Sequence, residues 1–270
     1  MSRRLFLLLA LFSAFAAPAN AAPPKRIVSL SPGITEMLFA LGLGRSVVGD
    51  TVYCDYPPAA KAVAKIGDVN ASYERVLALR PDLIVADGGA NARAVARLTQ
   101  LREPLLVIYP TTFPAVEDSL RQIGVRTGTS EQAGQVIAGM ERKAHLASVI
   151  SHRDTRSQPR VLIVVQTAPL WTAGAGTFMD DLVTRAGGVN VGRAVRGYGV
   201  FSKEMVLARP PDVVLGDAGT LTAFRADPLL SRLPAVRAGR FAALPSDLTS
   251  RPGPRLADGL VLVAKALHGR

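Results

Sequence analysis

The sequence contains an internal repeat whose two copies align without a gap. Residues 72–87 read SYERVLALRPDLIVAD, and residues 202–217 read SKEMVLARPPDVVLGD. Each copy combines a short helical segment with a proline and an apolar run of Leu, Ile and Val, and such a run is typical of a strand covered on both faces. The repeat therefore predicts a chain built as two similar α/β lobes with a cleft between them.

Predicted strands and helices alternate on both sides of the centre of the chain. This alternation is the pattern of parallel sheets with helical crossovers. The predicted strands are residues 26–30, 47–49, 83–86, 105–109, 160–165, 213–215 and 240–244. The predicted helices are residues 34–41, 73–79, 92–101, 116–124, 179–186, 204–208 and 254–267.

A long helix is predicted between the two halves. Residues 130–152 contain no proline and have apolar side chains at helical spacing. Such a helix would run on the order of 35 Å and would restrain hinge motion between the lobes. A long surface helix of a single domain is the alternative. The predicted fold class is α/β, with two Rossmann-like lobes, their sheets mainly parallel, joined by this one helix.

The N-terminus has the features of a secretory signal peptide. Arg3 and Arg4 precede an apolar run, and Ala19-Asn20-Ala21 supplies small residues for cleavage. The run is shorter than the roughly 20 residues of a spanning helix, which is the alternative. We expect residues 1–21 to be removed and the mature chain to be soluble in the periplasm. Its predicted parts are an N-terminal lobe (22–128), a linker helix (129–157) and a C-terminal lobe (158–270).

The charge and the reactive residues disfavour several classes of function. The chain has 32 Lys and Arg against 21 Asp and Glu, but the basic residues are scattered, which predicts a solvated surface and not a nucleic-acid site. The histidines are His145, His152 and His268, none near a plausible cleft, so a Ser-His-Asp hydrolase or a His-rich zinc site lacks its residues. We expect no metal site and no resident cofactor.

Two further motifs do not indicate an enzyme. Gly174-Ala175-Gly176 lacks the third glycine of a dinucleotide-binding loop. Cys54 is the single cysteine, so it forms no internal disulfide, and we expect a small buried side chain instead of a nucleophile. An exported enzyme is the remote alternative, and a binding protein is the prediction.

Several segments resemble one family of transport proteins. They are RIVSLSPGITEMLFALG, YCDYPPAAKAVAKIGD, LWTAGAGTFMDDLVTRAGGVNV and SDLTSRPGPRLADGL. Together they are similar to the helical-backbone (class III) periplasmic substrate-binding proteins of ABC importers. YCDYPP and SRPGPR are most similar to the cobalamin-binding branch, while the other segments are shared with haem and ferric-siderophore binders.

The resemblance implies a function and a set of partners. The chain would be a monomer that captures cobalamin as a transported ligand and delivers it to a permease with ATPase subunits in the inner membrane. A haem-binding or ferric-siderophore-binding protein of the same class is the alternative.

The resemblance also implies a ligand site. A corrinoid is a broad amphipathic ring, so its cleft needs flat aromatic faces and a few polar groups at the rim. The matching positions are Tyr53 in the first lobe, Trp171 and Tyr198 in the second, and Asp247 at the rim. The three aromatic residues are expected in Gly- or Pro-flanked loops. The alternative for Trp171 is a position in the core, and the alternative for Asp247 is that it caps a turn.

One departure from the cobalamin branch concerns the first lobe. The branch has another aromatic residue where this chain reads DVNA at residues 68–71. This loss is compatible with weaker binding, a different corrinoid, or haem, whose iron can be bound by a tyrosine oxygen. The same stretch also lacks the tyrosine motif of haem binders.

Glu74 and Glu204 occupy the same position in the two copies of the repeat. In the family such a pair docks into arginines on the two permease subunits, which fixes orientation more than it adds affinity. The alternative is that each glutamate favours a helix N-terminus behind the caps Ser72 and Ser202. Both roles are compatible.

Overall fold

The structure is a computed structural model that describes residues 22–68, 71–152, 158–249 and 251–269. The predicted signal peptide lies outside the described residues, and the boundaries of the lobes stay predictions. Within the described part of the chain, no helix is both long enough and apolar enough to span a bilayer.

The N-terminal half forms a parallel four-stranded sheet in the order β2-β1-β3-β4. Helices connect the strands, as the alternating pattern predicts. The strands are β1 (Ile27–Ser29), β2 (Val47–Gly49), β3 (Leu83–Asp87) and β4 (Leu105–Ile108). The helices are α1 (Pro32–Ala40), α2 (Tyr73–Ala78), α3 (Ala92–Gln100) and α4 (Phe113–Thr127).

The C-terminal half contains a six-stranded sheet that is partly a copy of the first. Its parallel part has the order β7-β5-β9-β10, which repeats the order β2-β1-β3-β4. Its strands are β5 (Arg160–Thr167), β6 (Leu170–Ala173), β7 (Val189–Asn190), β8 (Tyr198–Val200), β9 (Val213–Gly216) and β10 (Phe241–Ala243). Its helices are α6 (Phe178–Arg185), α7 (Lys203–Ala208), α8 (Ala218–Ala226), α9 (Pro234–Arg237), α10 (Ser246–Thr249) and α11 (Leu256–His268).

The antiparallel strands β6 and β8 are an addition without a counterpart in the described first sheet. β6 pairs with the second half of β5, and β8 pairs with β6. The glycines near Trp171 and Tyr198 predict loops for these two segments, and this prediction is wrong. Gly174 and Gly197 lie just outside the strands and Gly199 lies inside β8, so the turn-forming character of these glycines conceals two short paired segments.

The two copies of the repeat form the same hydrogen bonds. Asp82 accepts hydrogen bonds from the backbone N–H groups of Lys25 and Arg26, both at 2.8 Å. Asp212 likewise accepts from the backbone N–H of Arg160 at 2.8 Å, and also pairs with its guanidinium at 3.1 Å. Each aspartate thus ties the start of one strand to the chain that enters its neighbour.

The helices of the repeat begin at equivalent serine caps. The Ser72 hydroxyl accepts a hydrogen bond from the backbone N–H of Arg75 at 3.3 Å, and Ser202 accepts from Met205 at 3.2 Å. A cap of this kind satisfies one of the backbone donors that a helix start leaves unpaired. The repeat in the sequence is therefore a repeat in three dimensions.

Helix α5 (Ser130–Ser151) joins the two halves, and its bounds agree with the predicted helix to within one residue. It packs along α4 and α11. The face that carries Ala133, Ile137, Met140 and Ala147 is buried. One apolar core contains this face together with residues from both sheets, such as Ile27 and Val161.

We expect Asp82→Ala and Asp212→Ala each to lower the free energy of unfolding by about 1 to 2 kcal/mol, because each change removes a charged acceptor from backbone donors. Urea denaturation of the purified mature protein measures this. The matched control is Asp118→Ala, which removes only an exposed ion pair with Arg121 on α4 and should change stability by less than about 0.5 kcal/mol. Equal effects of all three substitutions would contradict the assigned role.

Candidate ligand-binding cleft

A cavity of about 610 Å³ lies between the two lobes. The first lobe contributes the loops that follow β3 and β4, and the second contributes β5 and the loops after β9 and β10. Most of its wall is thus formed where strands of the two sheets end, the usual position of ligand sites in open α/β sheets. Its size is in the range of clefts that hold small organic ligands.

The second lobe supplies an aromatic wall. Tyr198 of β8 and Phe178 at the start of α6 both line the cavity, with ring centroids 6.3 Å apart and planes tilted by 56°. Phe178 is buried, and the Tyr198 side chain is 45% exposed, so Tyr198 presents its ring to the open space. The sequence analysis identified Tyr198 and missed Phe178. Thr177, which caps α6 behind a glycine-rich loop, was the available signal.

The phenol of Tyr198 stays neutral at physiological pH. Burial among the surrounding groups raises its pKa well above the ordinary value, while the exposed part of the ring faces the cavity. The residue is therefore suited to offer a flat ring and a hydroxyl group.

Trp171 lies on the same face of the sheet as Tyr198. Strand β6 places Trp171 opposite Val200, and Ala173 opposite Tyr198. Residues that pair directly, and residues two apart in a strand, share a face of the sheet. Trp171 is half-buried and is not among the described residues that line the cavity. It extends the face that carries Tyr198 beyond the cavity wall.

Asp247 takes part in a network of charges between the lobes. Its carboxylate accepts a hydrogen bond from the guanidinium of Arg255 at 2.5 Å, and the same guanidinium binds the buried carboxylate of Glu36 at 2.6 Å. The ring of Tyr56 lies 3.7 Å from the Arg255 guanidinium carbon. Glu36 and Tyr56 belong to the first half of the chain, so the network joins the lobes.

A second arginine and a close backbone contact complete this seam. Arg251 pairs with Asp55 and lies 3.7 Å from a carboxylate oxygen of Glu36. A Cβ atom on Gly33 would be only 2.5 Å from the backbone oxygen of Pro252. Glycine is thus required where the two lobes approach each other. These contacts between the lobes were not predicted from the sequence, although the SRPGPR segment contains both arginines.

A further contact between the lobes joins α4 to α6. The backbone N–H of Phe113 donates to Asp181 at 2.8 Å, and Arg185 pairs with the same carboxylate at 2.9 Å. The Arg185 guanidinium also lies 5.3 Å from the centre of the Phe113 ring. The lobes are thus held together by two separate polar seams.

Tyr53 lies in the loop after β2 and is 52% exposed. It is not among the described residues of the cavity wall. Beside it, Cys54 is buried as predicted, with its sulfur 3.1 Å from the Thr35 hydroxyl and 3.2 Å from that of Thr51. Burial raises the pKa of the Cys54 thiol, which disfavours the thiolate that a nucleophile requires.

Asp50 is a buried carboxylate beneath the same loop. One of its oxygens accepts a hydrogen bond from Lys65 at 2.7 Å, and the other has no hydrogen-bond partner within the described residues. Burial raises the pKa of Asp50 to about 6, although the bond from Lys65 acts in the opposite direction. Lys65 also donates to the backbone oxygens of Cys54 and Ala60, so this ion pair holds the loop.

Glu74 and Glu204 are fully exposed at equivalent places on the two lobes. Each carboxylate accepts a hydrogen bond from the serine that caps its helix, at 2.8 Å from Ser72 and 2.9 Å from Ser202. Bonds from the glutamate's own backbone N–H and from that serine lower the pKa of both carboxyls. Both are therefore ionised surface charges in matching settings.

No group of three or more His, Cys, Asp or Glu side chains in the described part of the chain is placed to hold a metal ion. Residues 27–248 match the family described as periplasmic binding protein. The chain belongs to this family. Its fold is that of the helical-backbone class that serves ABC importers, so the family resemblance in the sequence is confirmed.

Relatives within the family bind different ligands. Over 209 residues the chain is 34% identical to the vitamin B12-binding protein of Yersinia pestis (strain Pestoides F), which covers 76% of this chain and 73% of the relative. The structure of vitamin B12 binding protein BtuF of Vibrio cholerae has a TM-score of 0.82 and 26% identity, covering 92% of this chain and 98% of that one. Heme-binding protein RhuT from Roseiflexus sp. RS-1 has a TM-score of 0.80 and 29% identity, covering 90% and 98%.

The family defines the general role of the chain. It is an extracytoplasmic solute-binding protein of an ABC transporter, and it works with that transporter and a small-molecule ligand. The family and these relatives are binding proteins and not enzymes.

The raised pKa of Asp50 predicts a pH dependence of stability. The folded protein holds the Asp50 proton up to about pH 6, whereas an unfolded chain releases it near the ordinary aspartate pKa of 3.8. The contribution of Asp50 to the free energy of unfolding is therefore present below about pH 4 and is lost as the pH rises toward 6. Between pH 4 and 7.5 the loss should be about 2 kcal/mol, and Asp50→Asn should remove it.

Urea denaturation at the two pH values measures this difference in wild type and variant. The comparison is made between the changes with pH, so a uniform loss of stability in Asp50→Asn does not affect it. An equal pH dependence in both proteins would show that Asp50 titrates normally.

Proposed function

We propose that this chain captures cobalamin, or a related corrinoid, in the cleft and delivers it to the permease of an ABC importer, whose ATPase subunits power uptake. The protein performs no chemistry on the ligand. The observation that carries this proposal is the aromatic wall, in which the tilted rings of Tyr198 and Phe178 are neighbours and the same sheet face continues to Trp171. A flat ring can stack on such a wall.

The charges of the cavity favour a ring edged with amides. Among the described residues that line it, the acidic side chains are Asp87 and Asp217, and Lys, Arg and His are absent. Carboxylates accept hydrogen bonds from amide N–H groups, which a corrinoid carries around its edge. They repel the propionate groups of haem, which a basic residue would attract. The cleft therefore suits a corrinoid better than a porphyrin.

Haem and ferric siderophores are the alternative ligands of the same site. The similarity to RhuT supports haem, and Tyr198 offers an oxygen in the cleft. The two cavity carboxylates act against the propionate groups of a ferric porphyrin. The remaining residues suggested by the resemblance, Tyr53 and Asp247, are proposed as contacts at the rim of the cleft.

The proposed docking surface uses Glu74 and Glu204. Both are ionised, and both are held in the same way in two equivalent lobes. A matched pair of charges at opposite ends of a contact surface can set the orientation of a partner that must bind and leave in each transport cycle. The two glutamates are therefore suited to pair with basic residues on two permease subunits.

A titration with three ligands tests the proposed cargo. Cyanocobalamin, hemin and ferrichrome are added separately to the purified mature protein, with calorimetry for stoichiometry and fluorescence of the single tryptophan Trp171 as a second readout. We expect one-to-one binding of cyanocobalamin with a submicromolar Kd. Tyr198→Ala should weaken it by about 1 to 3 kcal/mol, since a large aromatic contact is lost, and Tyr198→Phe should retain most of it.

If hemin or ferrichrome saturates the protein and cyanocobalamin does not, the proposed ligand is wrong. The proposed binding site still holds if Tyr198→Ala weakens the binding of the ligand that saturates. Unchanged affinity in Tyr198→Ala would contradict the aromatic wall as the binding surface.

A double substitution tests the docking surface. Glu74→Ala with Glu204→Ala should leave the affinity for the ligand unchanged and abolish uptake, because the two charges contact the permease and not the cleft. Uptake of radiolabelled cyanocobalamin is measured in cells that lack the chromosomal copy of this gene and carry each variant on a plasmid. The matched control, Glu131→Ala with Glu141→Ala on α5, removes the same charge elsewhere on the surface and should transport normally. Full transport by the first variant would refute docking through these glutamates.

A further inference from the structure

The first lobe contributes no aromatic side chain to the described wall of the cavity. Its residues there are Asp87, Gly89, Ala90, Pro110 and Thr111. A flat ligand stacked on Tyr198 would thus meet small and polar groups on the opposite side. The stretch that carries an aromatic residue in the cobalamin branch reads DVNA in this chain, so it does not fill the gap.

Tyr109 lies next to this side of the cavity. It follows β4 directly and precedes Pro110 and Thr111, which both line the cavity. Its side chain is 61% exposed, the largest exposed fraction among the exposed aromatic residues of the described chain. A ring of this size that remains in solvent has apolar surface that a ligand can cover.

The ring of Tyr109 is held against the loop after β3. A Cβ atom on Gly88 would lie 2.2 Å from Cε1 and 2.3 Å from Cζ of Tyr109, so the ring occupies the space of the missing side chain. The φ angle of Gly88 is outside the left-handed region, so its backbone does not itself require glycine. Gly88 lies between Asp87 and Gly89, which both line the cavity. The ring is thus fixed on the loop that forms the cavity wall.

The order of the first sheet places two tyrosines at its opposite edges. β2 and β4 are the edge strands, Tyr53 follows β2 in the chain, and Tyr109 follows β4. The edges are three strand spacings apart, or about 14 Å at roughly 4.8 Å per spacing. A broad ring that lies across the ends of these strands would have one tyrosine on each flank. Tyr109 is the nearer to the cavity, because only its neighbours in the chain line it.

We propose that Tyr109, positioned by Gly88, is the first-lobe aromatic contact of the ligand and helps to select flat macrocycles. This inference rests on the proposed function, because it concerns the same cleft. Tyr198 on one lobe and Tyr109 on the other then cover two parts of the same ring system. Tyr109 takes the place of the first-lobe aromatic residue that residues 68–71 lack.

A double-mutant cycle tests the contact between ring and loop. The variants are Tyr109→Ala, Gly88→Ala and the two combined, with Tyr109→Phe as the matched control, each titrated with cyanocobalamin. Tyr109→Ala should raise the Kd about fivefold to tenfold, and Tyr109→Phe should not. Gly88→Ala should raise the Kd similarly, because its methyl group displaces the ring. The combined variant should bind no more weakly than Tyr109→Ala, since the methyl group then has no ring to displace.

The outcomes separate this inference from the proposed function. An unchanged Kd in Tyr109→Ala, together with weaker binding in Tyr198→Ala, would overturn the role of Tyr109 and leave the cleft as the binding site. Additive losses from Gly88→Ala and Tyr109→Ala would overturn the positioning role of Gly88. If only hemin or ferrichrome saturates the wild type, the cycle is run with that probe and judged in the same way. No saturable binding of any of the three would overturn both proposals.

Discussion

One large apolar core runs through both lobes and the helix that joins them, beside a smaller core within each lobe. Side chains from α1, α5, α6 and α11 pack together in this core, among them Ile34, Met140, Leu182 and Leu260. Any wide separation of the lobes would expose this surface to water at a cost of about 25 cal/mol per Å². The cleft is therefore formed before the ligand arrives. Because the site is already formed, ligand binding does not have to supply the free energy of ordering it. Large closing motions of the two lobes are disfavoured for the same reason.

The polar seams explain why the cavity itself carries so few charges. Arg251 and Arg255 lie near the cleft in sequence and in space, but their guanidiniums are occupied by Glu36, Asp55 and Asp247. These ion pairs hold the lobes in register and remove positive charge from the ligand surface. The carboxylates of Asp87 and Asp217, which accept hydrogen bonds from nearby backbone N–H groups, are the acidic groups on the described cavity wall.

The repeat combines a structural and a proposed transport role in a short segment. Within each copy, the aspartate fixes a strand, the serine caps a helix, and the glutamate stays on the surface. Because the same bonds recur in both lobes, the two glutamates are presented in equivalent local geometry. A partner with two similar subunits requires such a matched presentation.

The sequence by itself determined the α/β class, the two similar lobes, the joining helix and the buried state of Cys54, because these depend on local patterns and on the repeat. The family resemblance also named Tyr198, which lines the cavity, and its contact with a ligand stays a prediction. The sequence did not reveal the β6 and β8 strands, because β6 is stabilised by pairing with β5, and β8 by pairing with β6, and not by the composition of either segment.

Only the tertiary structure decided which side chains meet. Glu36 and Arg255 are 219 positions apart in the chain, and Gly88 and Tyr109 lie on neighbouring strand ends. Neither contact has a periodicity or a motif that a sequence could display. Whether an aromatic residue faces a ligand or the core depends on sheet register and on the space left by its neighbours, and these are properties of the packed chain.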